Sequence, residues 1–213
     1  MIRILLVDDH PIVRQGLVAV LQAAPDCWVI GEASDGDDAL LKARKEKPDL
    51  ILLDISLPGR SGLEVLKQLH IEQPLTKVLV LSTFSEKQYA VRCLKMGAQG
   101  YLTKKSASGE LLNAIEKVIA GGKYVSASLA DHLAAEIGPE VTTVPHERLS
   151  DREFQVLCLL GQGRTVTQIS QDLSISVSAV NKYRAQILHK MNLGTTAQLI
   201  RYALDNDLAN PTE

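Results

Sequence analysis

Leu50-Ile51-Leu52-Leu53-Asp54-Ile55-Ser56-Leu57-Pro58-Gly59 sets four apolar residues against an aspartate and then breaks at a Pro-Gly turn. A run this short, made of Leu and Ile and closed by turn residues, reads as a strand buried on both faces of a parallel sheet. Working outward, similar runs recur at Ile2–Val7, Trp28–Gly31, Val78–Leu81 and Gly100–Leu102. The stretches between them are amphipathic. In the first, Ile12, Leu17, Val20 and Leu21 are assigned to one helix face, and in the third Leu63, Leu66 and Leu69 share another. Ser61-Gly62-Leu63-Glu64 and Ser85-Glu86-Lys87-Gln88 have the capping-box pattern expected to open the third and fourth helices. Five strands alternating with five helices predict an α/β domain with a five-stranded doubly wound parallel sheet. Such sheets bind ligands at the C-terminal edges of their strands.

The 213 residues suffice for one or two domains, and 46% hydrophobic with 23% charged residues argues for packed cores over disorder. A net charge of −2 does not mark the whole chain as a nucleic-acid binder. Its distribution is uneven, however: from Ser174 to Leu204 there are Lys182, Arg184, Lys190 and Arg201 but no acidic residue. Cys27, Cys93 and Cys158 are too few and too far apart for a disulfide framework or a metal-ligand pattern. The opening Met1–Val7 is too short for a signal peptide and runs straight into two aspartates, and no apolar run reaches the ~18 residues of a membrane span. A cytoplasmic location with no membrane contact is expected.

Gly121-Gly122 closes the last helix of the first half. A further helical piece is expected near Ser126–Ile137, followed by a linker over Gly138–His146, which lacks periodicity and carries two prolines. Beyond it lies a helical unit. Ser150-Asp151-Arg152-Glu153, Thr165-Val166-Thr167-Gln168, Ser176 and Thr195-Thr196-Ala197-Gln198 each begin a helix with capping chemistry.

Asp8 and Asp9 follow the first strand, Asp54 ends the third, Thr83 lies just past the fourth and Lys104 just past the fifth. In a parallel sheet these positions share one rim. Clustered carboxylates repel one another unless a cation sits among them, and Mg²⁺ suits an all-oxygen set. Taken singly, Asp-Asp is an ordinary turn or cap, Asp54 an ordinary turn residue and Lys104 an ordinary surface lysine. The combination at four strand ends carries the reading: a carboxylate nucleophile, a metal clamp and a cationic partner for a phosphoryl group.

Val7-Asp8-Asp9-His10, Leu53-Asp54-Ile55-Ser56-Leu57-Pro58-Gly59, Leu81-Ser82-Thr83 and Gly100-Tyr101-Leu102-Thr103-Lys104 resemble, in order and spacing, the motifs of the receiver domain of two-component response regulators. The resemblance implies that Asp54 accepts phosphate from a histidine kinase. It implies that Asp8, Asp9, Asp54 and the backbone carbonyl of Ser56 arrange Mg²⁺, and that Thr83 and Lys104 contact the phosphoryl group. Tyr101 would be the aromatic switch, and its alternative role is simply to pack in the rim. At the phosphorylation residues this chain matches the pattern throughout.

In the tail, Val180, Arg184, Ile187, Leu188 and Met191 share one side of a helix, with Arg184 at the margin, while Ser178, Asn181, Lys182, Ala185 and His189 lie around the other. The second set is small or polar, as a helix in a DNA major groove requires, although the pattern alone fits packing equally well. Leu149–Leu157, Gly163–Ser170, Ser176–Val180 and Ile187–Met191 resemble the LuxR-type helix-turn-helix, so that the whole chain resembles the NarL/FixJ class. The resemblance implies double-stranded DNA contacts from Thr167, Ser178, Asn181, Lys182, Arg184, Ala185 and Lys190. Gln168, Ala179, Asn181, Tyr183 and Ala185 depart from the common pattern, which leaves phosphate binding to Lys182, Arg184 and Lys190.

These readings divide the chain into a receiver at 1–124, a linker with a short helix at 125–147 and a DNA-binding domain at 148–213. The expectation is a phosphorylation-dependent transcriptional regulator, homodimeric when phosphorylated, and not an enzyme. Two rivals are a phosphatase with an aspartyl-phosphate intermediate, which lacks a cap domain here, and a phosphorylation-independent DNA-binding regulator with a vestigial acidic site.

Overall fold

The computed structural model describes residues 1–84, 86–127, 129–130 and 144–209. The capping box expected at Ser85, most of the helix expected near 126–137 and residues 138–143 of the expected linker lie outside the described residues. The chain forms two compact units, Met1–Ala127 and Ser128–Glu213.

In the first unit, β1 (Ile2–Val7), β2 (Cys27–Ala33), β3 (Leu50–Asp54), β4 (Lys77–Ser82) and β5 (Gly100–Thr103) alternate with α1 (Pro11–Gln22), α2 (Gly36–Glu46), α3 (Gly62–Glu72), α4 (Glu86–Lys95) and α5 (Ala107–Ile119). The strands form one sheet in the order β2-β1-β3-β4-β5, with every pairing parallel. Strand residues alternate between faces. Ile4, Leu6, Leu50, Leu52, Leu79, Leu81 and Leu102 pack on one side with Leu17 and Leu21 of α1 and Leu111, Ile115 and Val118 of α5. Leu40 of α2 and Leu63, Leu66 and Leu69 of α3 are also buried.

Two expectations are corrected. Ile12 is 83% exposed and does not share the inward face of α1; Val13 packs there with Leu17, Val20 and Leu21. At 3.6 residues per turn Ile12 sits about 140° around the helix from Leu17, whereas Val13 sits one turn above it. The run at Trp28 is likewise not buried on both faces, because β2 is an edge strand and Trp28 is exposed.

In the second unit a 3₁₀ turn at Pro145–Arg148 is followed by α6 (Asp151–Gly161), α7 (Val166–Asp172), α8 (Val177–Lys190) and α9 (Thr196–Asp205). The turn includes Pro145, His146 and Glu147, the last three residues of the expected linker. Ser150–Glu153, Thr165–Gln168 and Thr195–Gln198 form reciprocal capping boxes, and Ser176 accepts from the Ala179 amide. Each satisfies amides that the first helical turn leaves without partners. Phe154, Leu157, Ile169, Leu173, Val180, Ile187, Met191, Leu199 and Ala203 are buried. Between α7 and α8 the chain turns sharply through Ser174 at φ 51°, which makes the helix-turn-helix.

Gly62, the first residue of α3, decides how closely that helix approaches the end of β3. Its amide donates to the Ile55 carbonyl at 3.0 Å, and a Cβ there would stand 2.0 Å from the Asp54 carbonyl oxygen. Gly62→Ala should therefore cost about 1–3 kcal/mol by forcing backbone apart. The urea midpoint of the first unit should fall accordingly with the slope of the transition unchanged; an unaltered midpoint would show that the contact is slack.

Candidate functional site

The sheet order reverses between β1 and β3, the place in an open α/β sheet where a crevice forms beyond the strand ends. The register pairs Val7 with Leu53, Asp54 with Leu81 and Ser82 with Thr103. Backbone pairing alone therefore makes Asp8 and Asp54 neighbours, whereas Lys104 starts two strands away from Asp54, beyond β4. The Lys104 amide donates to the Ser82 carbonyl at 2.8 Å, which fixes where the long side chain starts.

That side chain reaches back over the rim. Lys104 Nζ donates to Asp54 Oδ2 at 2.7 Å and stands 2.6 Å from Asp8 Oδ2. Asp8 and Asp54 are 2% and 1% exposed. Burial pushes the Asp54 carboxyl up, the Lys104 ammonium draws it down, and the Asp8 charge pushes it up again, leaving it above its ordinary value. Burial lowers Lys104, but the two aspartates outweigh that and hold its ammonium above the usual range. One ammonium does not fully compensate this much buried negative charge.

The residues fit a divalent cation on two further counts. Asp8, Asp9, His10 and Asp54 each offer a ligand atom, all within 4.8 Å of one another. Asp8 Oδ2 and Asp9 Oδ1 are enclosed and accept no well-directed hydrogen bond, although Lys104 Nζ and His10 Nδ1 stand 2.6 and 2.7 Å away. Oxygens in that condition suit a hard cation.

The other expected residues are less alike. The Ser56 amide donates to Asp54 Oδ1 at 3.1 Å, which places the Ser56 backbone beside the carboxylate. Thr83 is exposed just beyond β4. Tyr101 is fully buried, and its hydroxyl donates to the Phe84 carbonyl at 2.8 Å. Sequence reasoning did not single out Ser82, whose hydroxyl accepts from the Phe84 amide at 3.1 Å, or Arg14, which donates to the Asp8 carbonyl at 2.6 Å. It also left out His10 as a site residue, although its place directly after the aspartate pair was a usable signal.

In the second unit, Thr167, Ser178, Asn181, Lys182, Ala185 and His189 are exposed, and Arg184 is half-buried. Lys190 is differently placed: its Nζ donates to Glu153 Oε2 at 2.6 Å, tying the end of α8 to the start of α6. Glu153 is 2% exposed and also receives the Ser150 amide at 2.7 Å.

The family described as response regulator receiver domain matches residues 4–116, more than half of the chain. The chain belongs to the response regulators. The family described as bacterial regulatory proteins, luxR family, matches residues 147–203, so this response regulator has the receiver and LuxR-type pairing of the NarL/FixJ class. It is 35% identical over 211 residues to response regulator UvrY of Escherichia coli (strain K12), covering 99% of this chain and 97% of that one. It is 36% identical over 211 residues to transcriptional regulatory protein LiaR of Bacillus subtilis (strain 168), covering 99% and 100%. Among solved structures, a LuxR-family two-component response regulator from Aurantimonas sp. SI85-9A1 aligns at 34% identity and a TM-score of 0.60, over 64% of this chain and 97% of that one. No helix among the described residues is long and apolar enough to cross a membrane.

The pairing of buried Glu153 with the exposed Lys190 gives a pH-dependent prediction. Burial pushes Glu153 up, but Lys190 and the Ser150 amide and hydroxyl outweigh it and hold the carboxyl below its ordinary value. A depressed carboxylate contributes stability that is present above the unfolded value, about pH 4.3, and is lost as pH falls through the folded one. Glu153→Gln should cost about 1–2 kcal/mol at pH 7, seen as faster amide exchange over residues 177–190 of the full chain. The difference from wild type should shrink below about pH 4; a difference independent of pH would mean that charge plays no part.

Proposed function

We propose that this response regulator is switched by phosphorylation of Asp54 and that the switch governs DNA binding by the helix-turn-helix. The reading divides the chain into a receiver at 1–124, a linker at 125–147 and a DNA-binding domain at 148–213. The observation that carries it is the convergence of Asp8, Asp9, Asp54 and Lys104 at one strand edge.

In this reading an Asp54 carboxylate oxygen attacks the phosphorus of a phosphohistidine on the kinase. A P–O bond forms, the P–N bond breaks, and the histidine leaves as imidazole after taking a proton. Mg²⁺ at the acidic edge, held by Asp8, Asp9, Asp54 and the Ser56 carbonyl, would neutralise charge on the transferring group. Lys104 exchanges part of its ion pairing with Asp54 and Asp8 for the phosphoryl oxygens, and the Thr83 hydroxyl donates to another. The acyl phosphate adds roughly one negative charge and strong acceptors at the rim. Thr83 captured in this way favours the arrangement in which Tyr101 lies inside, bonded to Phe84. The resulting population shift reaches the outer faces of α4 and α5. Its consequences are release of the helix-turn-helix, homodimerisation, or both, in the cytoplasm and without membrane contact.

DNA contacts are assigned to Thr167, Ser178, Asn181, Ala185 and Lys182, with Arg184 reaching a phosphate from the margin. The engagement of Lys190 with Glu153 supports a positioning part for it, holding α8 at its angle to α6. Transcriptional control is supported by the LuxR-family match and by the likeness to LiaR.

Asp54→Ala should abolish the rise in DNA affinity that a small-molecule phosphodonor with Mg²⁺ produces in the wild type; equal stimulation of both proteins would overturn the assignment. Lys182→Ala should weaken binding to all DNA sequences alike. It should also flatten the slope of log affinity against log salt by about one per protomer, as read by fluorescence anisotropy across a salt series.

A further inference from the structure

His10 stands in the acidic edge, and the phosphoryl chemistry leaves it without a part. Its position is imposed by its neighbours. Pro11 begins α1, and the residue before a proline is held out of the helical region, here at φ −92° and ψ 108°. His10 is therefore the N-cap of α1, yet its side chain makes no capping hydrogen bond. Residues at that position ordinarily use their side chains to satisfy an early helical amide. The imidazole instead turns to the aspartates, with Nδ1 at 2.7 Å from Asp9 Oδ1 and 3.3 Å from Asp8 Oδ1. Its backbone amide donates to Asp8 Oδ1 at 2.8 Å and braces the turn.

The two sides of the edge are differently furnished. Lys104 approaches Asp8 and Asp54 through their Oδ2 atoms, while the ring approaches Asp8 and Asp9 through Oδ1. Around an ion with ligands at about 2.1 Å, adjacent ligand atoms stand about 3.0 Å apart and opposite ones about 4.2 Å. The separations from His10 Nδ1 to the two carboxylate oxygens bracket the first of these. The ring is 60% exposed, which leaves room for water ligands on its outer side.

We propose that His10 is a nitrogen ligand of this cation site. The receiver would then hold borderline divalent ions such as Ni²⁺, Co²⁺ and Zn²⁺ more tightly than its carboxylates alone would, with little effect on Mg²⁺. Imidazole adds affinity in the order Mn²⁺ < Co²⁺ < Ni²⁺, whereas Mg²⁺ prefers oxygen and keeps its waters. The inference rests on the reading of the acidic edge as a metal site.

The test is calorimetric titration of the tag-free full chain with Mg²⁺, Mn²⁺ and Ni²⁺ separately, for wild type, His10→Ala, His10→Gln and Asp9→Asn. Both His10 variants should lose roughly tenfold in Ni²⁺ affinity and less in Mn²⁺, and should hold Mg²⁺ within about twofold of wild type. Retained Mg²⁺ binding also reports that the edge is intact. Unchanged Ni²⁺ affinity, or equal weakening of all three ions, overturns the proposal. Tighter binding of every ion by the His10 variants overturns it too, since the ring would then be a competing counter-ion. Asp9→Asn should weaken Mg²⁺ and Ni²⁺ alike; if it weakens neither, or if wild type takes up no Mg²⁺, the metal-site reading itself fails.

Discussion

Two aspartates buried at one strand edge share a single ammonium, and the acidic rim of the first unit is built around that imbalance. Asp8 and Asp54 both meet Lys104 within 2.7 Å, away from solvent that would screen them. Charges in such a place are costly unless compensated. The apolar core beneath forces the arrangement to persist: β1, β3 and β4 are almost wholly buried, and their pairing leaves their last residues nowhere else to go. The core thus holds carboxylates in a state that additional positive charge relieves, and the edge is receptive to a cation for that reason.

The same rim is linked mechanically to the side of the domain beyond β4. Ser82, next to Asp54 in the register of strand ends, accepts from the Phe84 amide, and Tyr101 donates to the Phe84 carbonyl. Phe84 in turn stacks on Tyr89 of α4 at 4.5 Å between ring centres. Beyond β5, Tyr124 exchanges backbone hydrogen bonds with Gln99 and Tyr101 and covers part of that edge. A change at Thr83 therefore meets a chain of packed, hydrogen-bonded groups and not a loose loop. Packed elements of this kind respond by exchanging discrete arrangements.

The second unit solves a different problem. It is small, and most of its helices open with side-chain caps. Capping boxes open α6, α7 and α9, and Gly161 lets α6 approach Ala203 of α9 where a Cβ would stand 2.7 Å from its methyl. Glu153 belongs both to a cap and to the ion pair with Lys190, so one carboxylate orders the start of α6 and the end of α8 together. Polar groups along α8 remain exposed because its inward residues, Val180 and Ile187, already meet the core.

The sequence by itself determined what depends on neighbours along the chain. Strand positions followed from short apolar runs, the starts of α3, α6, α7 and α9 from Ser or Thr three residues before Glu or Gln, and the acidic edge from the rule that parallel strands end together. Ile12 and Val13 mark the limit: adjacent apolar residues at a helix start differ by about 100° in direction, and only the packed sheet decides which one faces inward. The partners of long side chains were equally hidden. Lys190 belongs to a basic stretch in sequence yet bonds a carboxylate 37 residues away, and Tyr101 was a switch candidate whose inward position depends on Phe84. His10 was visible as a letter after two aspartates, but its direction came from a proline, a vacant capping role and the three-dimensional placement of Asp8 and Asp9. Periodicity and caps act over a few residues and can be read in order; side-chain pairing across the fold depends on distances that exist only after the sheet and helices have packed.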